Sequence, residues 1–375
     1  MSRTPRHANR KATLTEVARE TQTVLPGILQ QLPHLHARRS QVYSPDDLPA
    51  LDVSSRAMRF ELVSSPPPPP SASPSHRPRT YGTRIKVLNL DSLDAAIMMA
   101  DSLGAQQPQQ PSTSTAATTT TTTTTDISQR VAVMNLASDV RPGGGWLTGA
   151  VAQEEALCYR SSLAMSLRRR YYPLAPLAVI YTRDVLVIRS SMTEGHRLLL
   201  SPSPTPTTAT ATATATATTS TTTTPTNTNT TTTTAASLPV VSVVSVAAIK
   251  KPALRTVTAS ALGSGSGDRE ERAVYRDAAD RDLTKEKMRQ ALRAAARGGH
   301  ELLVLAALGC GVFRNPPAEV ARCWLEVLDG EAEFAGGRWF REIWFAVLDR
   351  RAEAGGNFDV FERVLGDREV GKVVV

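Results

Sequence analysis

The sequence has few cysteines, few aromatic residues and no long apolar segment. Its three cysteines, Cys158, Cys310 and Cys323, are spread over 375 residues, which argues against a disulfide framework or a zinc site. The sequence contains no run of about 18 apolar residues, so we expect no membrane-spanning helix. The N-terminus lacks the apolar core of a secretory signal. We expect no metal, no cofactor, no membrane contact and a reducing intracellular compartment, either nucleus or cytoplasm.

The chain is basic, with a net charge of +8 and a pI of about 9.7. Such a balance favours anionic partners. The basic residues are dispersed, however, and the densest run, Arg168-Arg169-Arg170, is interpreted as the solvated end of a helix. Since no aromatic-basic recognition motif is present, direct nucleic-acid recognition is not expected.

Polar low-complexity tracts interrupt the chain. They contain threonine, alanine, proline, serine or glycine but few large apolar residues, so they cannot offset the entropy cost of ordering. We predict a helical extension with a proline-rich linker over 1–80 and one folded domain over 81–375, with disordered insertions at 105–126, 201–236 and 262–270. The remainder, roughly 250 residues, suits a single domain.

Apolar periodicity predicts alternating helices and strands. The predicted helices cover 14–32, 92–103, 153–170, 284–297 and 317–328, and a short helix around Phe358 closes the chain. The predicted strands cover 85–90, 131–134, 178–181, 185–188, 240–247, 302–307 and 343–348. This alternation is typical of an α/β fold with a mostly parallel sheet.

A glycine loop followed by paired glutamates is the most informative motif. Gly143, Gly144 and Gly145 follow a strand, and Glu154 and Glu155 begin a helix. Glycine amides and a helix N-terminus can hold diphosphate or ribose oxygens. Alternatively, the two glutamates only favour the helix dipole. An acidic pair beside a phosphate site is unfavourable unless a sugar lies between them.

A second glycine loop follows the predicted strand over 302–307. Gly309 and Gly311 would leave backbone amides free for a pyrophosphate, or they form only a tight strand–helix turn. Phe313 packs on the ligand or fills the core, and Val312 lies in the same loop. Cys310 is interpreted as a packing residue, because the sequence places no histidine beside it to activate a nucleophile.

These residues resemble a known family. Asn135-Leu-Ala-Ser138, three glycines, seven intervening residues and then Gln153-Glu154-Glu155 are similar to the signature of microbial-type (bacterial- and fungal-type) poly(ADP-ribose) glycohydrolases, which are macrodomain-like. The second glycine loop matches the diphosphate loop of macrodomains, although Ala306 and Leu308 stand where the family often has Gly and Trp. Arg19-Glu20-Thr21 also resembles the family's N-terminal helix.

The resemblance implies a fold and an activity. The fold would be a macrodomain-like mixed, mostly parallel sheet flanked by helices, after an N-terminal helical extension. Glu155 would protonate the leaving ribose oxygen through an oxocarbenium-like state, and Glu154 would orient the sugar. Asn135 and Ser138 would line the distal ribose pocket, and Gln153 would position the loop. A general acid near neutral pH needs a raised pKa, which burial beside a second carboxylate supplies.

Two other functions remain open at this level. One is a non-catalytic ADP-ribose-binding macrodomain reader, which would have no need of the Glu154–Glu155 pair. The other is hydrolysis of another ADP-ribosyl linkage. The expected partners are poly(ADP-ribose) and proteins carrying it, and the resemblance favours a monomer that trims polymer from its ends.

Overall fold

The computed structural model describes residues 5–62, 78–104, 126–200, 234–260, 269–349 and 355–375. The polyproline run and nearly all of the three predicted insertions lie outside these ranges. Only their edges are described: Asp126, the turn at 234–236, and residues 269–270, which begin a strand. Disorder of these tracts therefore stays a prediction.

Six helices lie within the described ranges. Their starts follow local rules: Asp277 accepts a hydrogen bond from the Ala279 amide at 3.0 Å before α4, and Pro317 occupies the first turn of α5. The helices are α1 (Pro5–Gln30), α2 (Ser92–Gly104), α3 (Gln153–Arg160), α4 (Ala278–Arg297), α5 (Pro317–Gly330) and α6 (Asn357–Leu365). None of them combines the length and apolar character that a membrane crossing needs.

The strands form one large sheet and one hairpin. In order along the chain they are β1 (Gln41–Tyr43), β2 (Thr80–Leu88), β3 (Ala132–Leu136), β4 (Val179–Leu186), β5 (Val240–Val246), β6 (Leu254–Ser260), β7 (Arg269–Tyr275), β8 (Leu302–Leu305), β9 (Glu342–Ala346) and β10 (Glu369–Val374). The sheet order is β1-β4-β5-β3-β8-β9-β2-β10, and β6 pairs with β7. The five strands from β5 to β2 are mutually parallel, which confirms the predicted mixed, mostly parallel fold.

Helices cover both faces of the sheet. Along β9, Ile343 and Phe345 pack with α4, α5 and α6, whereas Trp344 and Ala346 pack with α2 and α3 on the other face. Strand side chains alternate between faces, and a strand buried on both sides therefore reads as continuously apolar. This explains why the central strands were recognisable in sequence.

The helix predicted over 153–170 is wrong in length. Helix α3 ends at Arg160, where Ser161 takes an extended conformation and its hydroxyl donates to the Leu157 carbonyl at 2.7 Å. Short 3-10 turns follow at Leu163–Met165 and Arg169–Tyr171. The Arg168-Arg169-Arg170 run is exposed as expected, but it does not end a helix.

The strand predictions also need correction. The runs predicted over 178–181 and 185–188 are one strand, β4, with an irregular register between Thr182 and Val185. Strands β1, β6, β7 and β10 were not predicted, because they lie at edges or in a hairpin and lack long apolar runs. Helix α6 is confirmed, but β10 follows it and pairs antiparallel with β2.

The N-terminal segment packs on the same body as the rest of the chain. Leu14 and Ala18 of α1 are buried against the face that carries α3, and β1 pairs with β4 at the sheet edge. Pro26 lies inside α1 near its end. The segment before residue 80 thus contributes a helix and an edge strand, while the division at residue 80 stays a prediction.

Candidate active site

A cavity of about 480 Å³ opens at the carboxyl ends of the parallel strands. Ligands of open α/β sheets bind at this edge, and the volume suits a small-molecule site. Both glycine loops reach this edge, and the cavity is lined by the residues following β2, β3, β8 and β9, by the first turns of α3 and α6, and by residues 191–193.

Gln153 joins the first turn of α3 to the end of β3. Its side-chain oxygen accepts from the Leu136 amide at 2.8 Å, and its nitrogen donates to the Met134 carbonyl at 2.7 Å. The same nitrogen donates to the Ser92 hydroxyl at 3.1 Å. Gln153 therefore holds the backbone on both sides of Asn135, besides lining the cavity.

Glu154 is buried, with only 3% of its surface exposed. It accepts hydrogen bonds from the Ser138 amide at 2.8 Å and from the Asn135 side chain at 3.3 Å. Burial, assisted by the charge of Glu155, outweighs these donors and raises the pKa of Glu154 to about 8. Asn135 is fully buried, and its side-chain nitrogen also donates to the Ser245 hydroxyl, so it helps to hold Glu154; its side-chain oxygen has no partner among the described residues.

Glu155 is 7% exposed and has two differently placed oxygens. One accepts a hydrogen bond from the Gly145 amide at 2.8 Å. The other is buried, and no hydrogen-bond partner for it lies within the described residues. One oxygen thus anchors the side chain to the glycine loop, whereas the second is left without a partner among the described residues.

The glycine loop lies directly against both carboxylates. A Cβ on Gly144 would be 2.4 Å from an oxygen of Glu155 and 3.1 Å from one of Glu154, and Gly144 has a φ of +56°. Gly143 has a φ of +69°, and a Cβ there would be 2.8 Å from the Trp146 ring and 3.1 Å from the Cys158 sulfur. Glycine is required here first of all by the protein's own packing.

The second glycine loop is organised by Asn315, which was not predicted from the sequence. Its side-chain nitrogen donates to the Ile249 carbonyl at 2.7 Å and to the Gly309 carbonyl at 3.2 Å, and its oxygen accepts from the Tyr275 hydroxyl at 2.8 Å. Gly309 has a φ of +74° and leaves no room for a side chain beside Asn315. Only its position just before two prolines marks Asn315 in the sequence.

The tip of this loop is open. A Cβ on Gly311 would meet nothing within 4 Å, Val312 is 70% exposed, and both line the cavity together with Phe313. The Cys310 thiol packs against the core, and burial raises its pKa, which favours the packing interpretation. Within the described ranges, no group of acidic, histidine or cysteine side chains is arranged to hold a metal ion.

Further contacts hold the site but were not predicted from the sequence. Arg160 is 1% exposed and pairs with Asp91 and Asp94 at the start of α2. The Thr21 hydroxyl donates to the Tyr159 carbonyl at 2.9 Å and accepts from Arg189 at 2.8 Å. These contacts fix the end of α3, and a buried arginine has no signature in a sequence pattern.

A mostly parallel sheet with a buried glutamate pair under one glycine loop, facing a second loop, is the arrangement expected of a macrodomain-like glycohydrolase. Residues 34–190 match the family model of the microbial-type PARG catalytic domain, where PARG stands for poly(ADP-ribose) glycohydrolase, a glycoside hydrolase. This match spans less than half of the chain and includes the glycine loop and both glutamates. It confirms the resemblance inferred from the Gln-Glu-Glu motif.

Solved structures share the fold. The crystal structure of PARG from Thermomonospora curvata is 23% identical, with a TM-score of 0.55 over 94% of this chain and 99% of the other. The same enzyme bound to the inhibitor ADP-HPD has a TM-score of 0.54 at 23% identity and the same coverage. A variant PARG from Deinococcus radiodurans in complex with ADP-ribose is 22% identical, with a TM-score of 0.52 over 89% of this chain and 97% of the other. No curated protein matches the chain in sequence.

Proposed function

We propose that this chain hydrolyses the ribose–ribose O-glycosidic bonds of ADP-ribose polymers and releases ADP-ribose. The observation that carries the proposal is the state of Glu155. One of its oxygens is held by the Gly145 amide, and the other is buried without a hydrogen-bond partner among the described residues. A carboxyl group so placed can deliver a proton to a leaving ribose oxygen.

The roles of the two glutamates follow from their surroundings. Glu155 acts as general acid at the scissile bond, water attacks the oxocarbenium-like centre, and the proton that water loses returns to the carboxylate. Glu154 is held by Ser138 and Asn135, and its pKa of about 8 keeps it protonated at neutral pH. Glu154 can therefore both donate to and accept from ribose hydroxyls.

The rest of the ligand would extend from the first glycine loop to the second. Gly143, Gly144 and Gly145 would lie beside the ribose and hold Glu155 there, since the Gly145 amide donates to its carboxylate, and Gln153 would hold the loop. Gly309, Gly311 and Val312 would present backbone amides to the pyrophosphate, since the space beside Gly311 is open. Cys310, whose amide donates to the Ala307 carbonyl at 3.1 Å, would support the loop beside the ligand. Phe313 lines the same cavity and would pack against the distal ribose or the adenine.

The ligands of related structures support this proposal. The Thermomonospora curvata enzyme has been solved with the inhibitor ADP-HPD bound, and a Deinococcus radiodurans PARG variant has been solved in complex with ADP-ribose. For this chain we propose poly(ADP-ribose) and the proteins that carry it as partners, a monomeric state and an intracellular location.

The decisive experiment is Glu155→Gln. The amide keeps the oxygen that accepts from Gly145 but removes the proton donor, so release of ADP-ribose from polymer should fall by about 100-fold or more. Affinity for ADP-ribose, measured by calorimetry, should stay close to that of the parent protein.

The matched control is Glu271→Gln, which makes the same chemical change at an exposed position of the β6–β7 hairpin. It should leave turnover unchanged. Undiminished turnover in Glu155→Gln would contradict the assigned mechanism. If the parent protein binds ADP-ribose but releases none from polymer, the chain is a non-catalytic binding domain instead.

A further inference from the structure

A second cavity lies on the other side of the first glycine loop. Its volume is about 670 Å³, and it is lined by the loop over 140–148 and by the segment after α3 that contains Arg169, Tyr172 and Pro173. We call it the outer pocket. No residue lines both it and the 480 Å³ cavity, so it is a separate binding space within the described part of the chain.

The outer pocket adjoins the glutamate pair. Gly144 and Gly145 line it, and both lie against Glu155: a Cβ on Gly144 would be 2.4 Å from its carboxylate, and the Gly145 amide donates to it at 2.8 Å. Tyr172 also lines the pocket, and its buried hydroxyl has no hydrogen-bond partner among the described residues. The backbone of Gly144 and Gly145 therefore adjoins both the pocket and the proposed general acid.

The pocket is basic and partly apolar. Arg141 and Arg169 are exposed, and neither forms an ion pair with any described residue, whereas Arg160 is paired with carboxylates. No acidic residue lines the pocket. Val140 and Leu147 add apolar surface on the same wall, with exposed fractions of 54% and 50%. Two unpaired cations beside apolar surface suit a nucleoside diphosphate.

We propose that the outer pocket binds the next ADP-ribose unit of the polymer, with its pyrophosphate on Arg141 and Arg169. This inference rests on the proposed function. The 480 Å³ cavity accommodates the unit to be released, and the bond cleaved at Glu155 joins that unit to its neighbour. The neighbour must therefore lie next to Glu155 but outside the first cavity, which is where the outer pocket is found.

The test is polymer binding in the Glu155→Gln background, where turnover does not interfere. Arg141→Ala and Arg169→Ala should each weaken binding of labelled poly(ADP-ribose) by about threefold, and the double variant by about tenfold. The dependence of log Kd on log salt should become shallower by about 1 for each arginine. Affinity for monomeric ADP-ribose should not change.

Arg170→Ala is the matched control, because Arg170 is also exposed and lies next to Arg169 but stacks on Tyr171 outside the pocket. It should leave polymer binding unchanged. Unchanged polymer affinity in the double variant, or an equal loss with Arg170→Ala, overturns the proposal. So does an equal loss of ADP-ribose affinity, and so does binding of single-stranded RNA as tight as polymer with the same dependence on the two arginines.

This assay also separates the two proposals. If the parent protein hydrolyses no polymer, yet the arginine variants still weaken polymer binding selectively, the proposed activity fails and the outer pocket stands. If the parent protein hydrolyses polymer and the double variant leaves both its KM and its binding unchanged, the outer pocket fails and the activity stands.

Discussion

The two glycine loops look alike in sequence but use their glycines differently. In the first, Gly144 lies within contact distance of both glutamates, so a side chain would collide with the protein itself. In the second, Gly309 is closely packed by Asn315 and Ala248, whereas Gly311 faces open space. The first loop is built around buried carboxylates, and the tip of the second leaves room for a ligand.

This difference shows that a glycine in a ligand-binding loop has more than one cause. Judged from the sequence, close approach of a ligand explains all of these glycines. That explanation fits Gly311, but at Gly144 and Gly309 the approaching atoms belong to Glu155 and Asn315. The two loops should therefore respond differently to the same substitution.

Gly144→Ala should have the largest effect. The added methyl collides with Glu155, and the φ of +56° strains any residue with a Cβ at about 1–3 kcal/mol. Because displacing a catalytic group by about 1 Å can cost 100-fold, we expect polymer hydrolysis to fall by about that factor and the melting temperature to drop.

Gly195→Ala separates strain from collision. Gly195 has a φ of +82°, but a Cβ there meets nothing within 4 Å. It should lose stability through strain alone and keep its turnover. If Gly144→Ala behaves no worse than Gly195→Ala in either measurement, the carboxylates do not pack against the loop as described.

Gly311 should behave in the opposite way. Gly311→Ala should leave the melting curve and ADP-ribose binding nearly unchanged, because the space is open and the backbone needs no positive φ. Gly311→Glu should weaken ADP-ribose binding by at least about tenfold in calorimetry, since its charge repels phosphate. Gly311→Gln, matched in size, isolates the charge. Equal affinity in all three variants would place the pyrophosphate elsewhere.

Tyr159→Phe tests how the first loop is attached to α3. The Tyr159 hydroxyl lies 2.7 Å from the Trp146 carbonyl and 2.9 Å from the Ala150 carbonyl. Without it, these carbonyls lose a buried donor, which costs about 1–3 kcal/mol. We expect turnover to fall by about tenfold as the loop loosens around Glu155, a factor equivalent to about 1.4 kcal/mol.

The control for this variant is Tyr181→Phe. It removes a hydroxyl that lies 2.8 Å from His300, on the sheet and outside the cavity lining. It should lose stability but retain turnover. A similar loss of turnover in both variants would mean that the effect is general destabilisation.

A pH dependence of stability should belong to Glu154. Its pKa is about 8 in the folded protein against an ordinary value of 4.5, so the folded state holds a proton that the unfolded state releases between these values. Stability from this group is therefore full below about pH 4.5 and is lost as pH rises towards 8. The slope is at most about 1.4 kcal/mol per pH unit.

Glu154→Gln should remove this slope. Between about pH 5 and about pH 8 the free energy of unfolding of the parent protein should therefore fall relative to that of the variant. Urea denaturation at several pH values measures the difference. A constant difference across this range would show that Glu154 titrates as an exposed glutamate does, and the burial described for the pair would be wrong.

Much of the fold was predictable because the central strands are buried on both faces. The runs around Val133, Leu303 and Phe345 are continuously apolar, and the helices between them have a regular apolar face. Edge strands such as β1 and β10 have no such pattern. The end of α3 was missed because Ser161 turns the chain through a side-chain hydrogen bond, a local choice that apolar periodicity does not reveal.

The sequence by itself determined the order of elements, the two glycine loops and the acidic pair between them, because glycine, glutamate and apolar periodicity each leave a local signal. Only the tertiary structure decided which oxygen of Glu155 is anchored, that Asn135 is buried behind Glu154, and that Asn315 braces the second loop. It alone brought Arg141 and Arg169 to one pocket. These relations join residues far apart in sequence, and their energies depend on burial and distance, which exist only once the chain is folded.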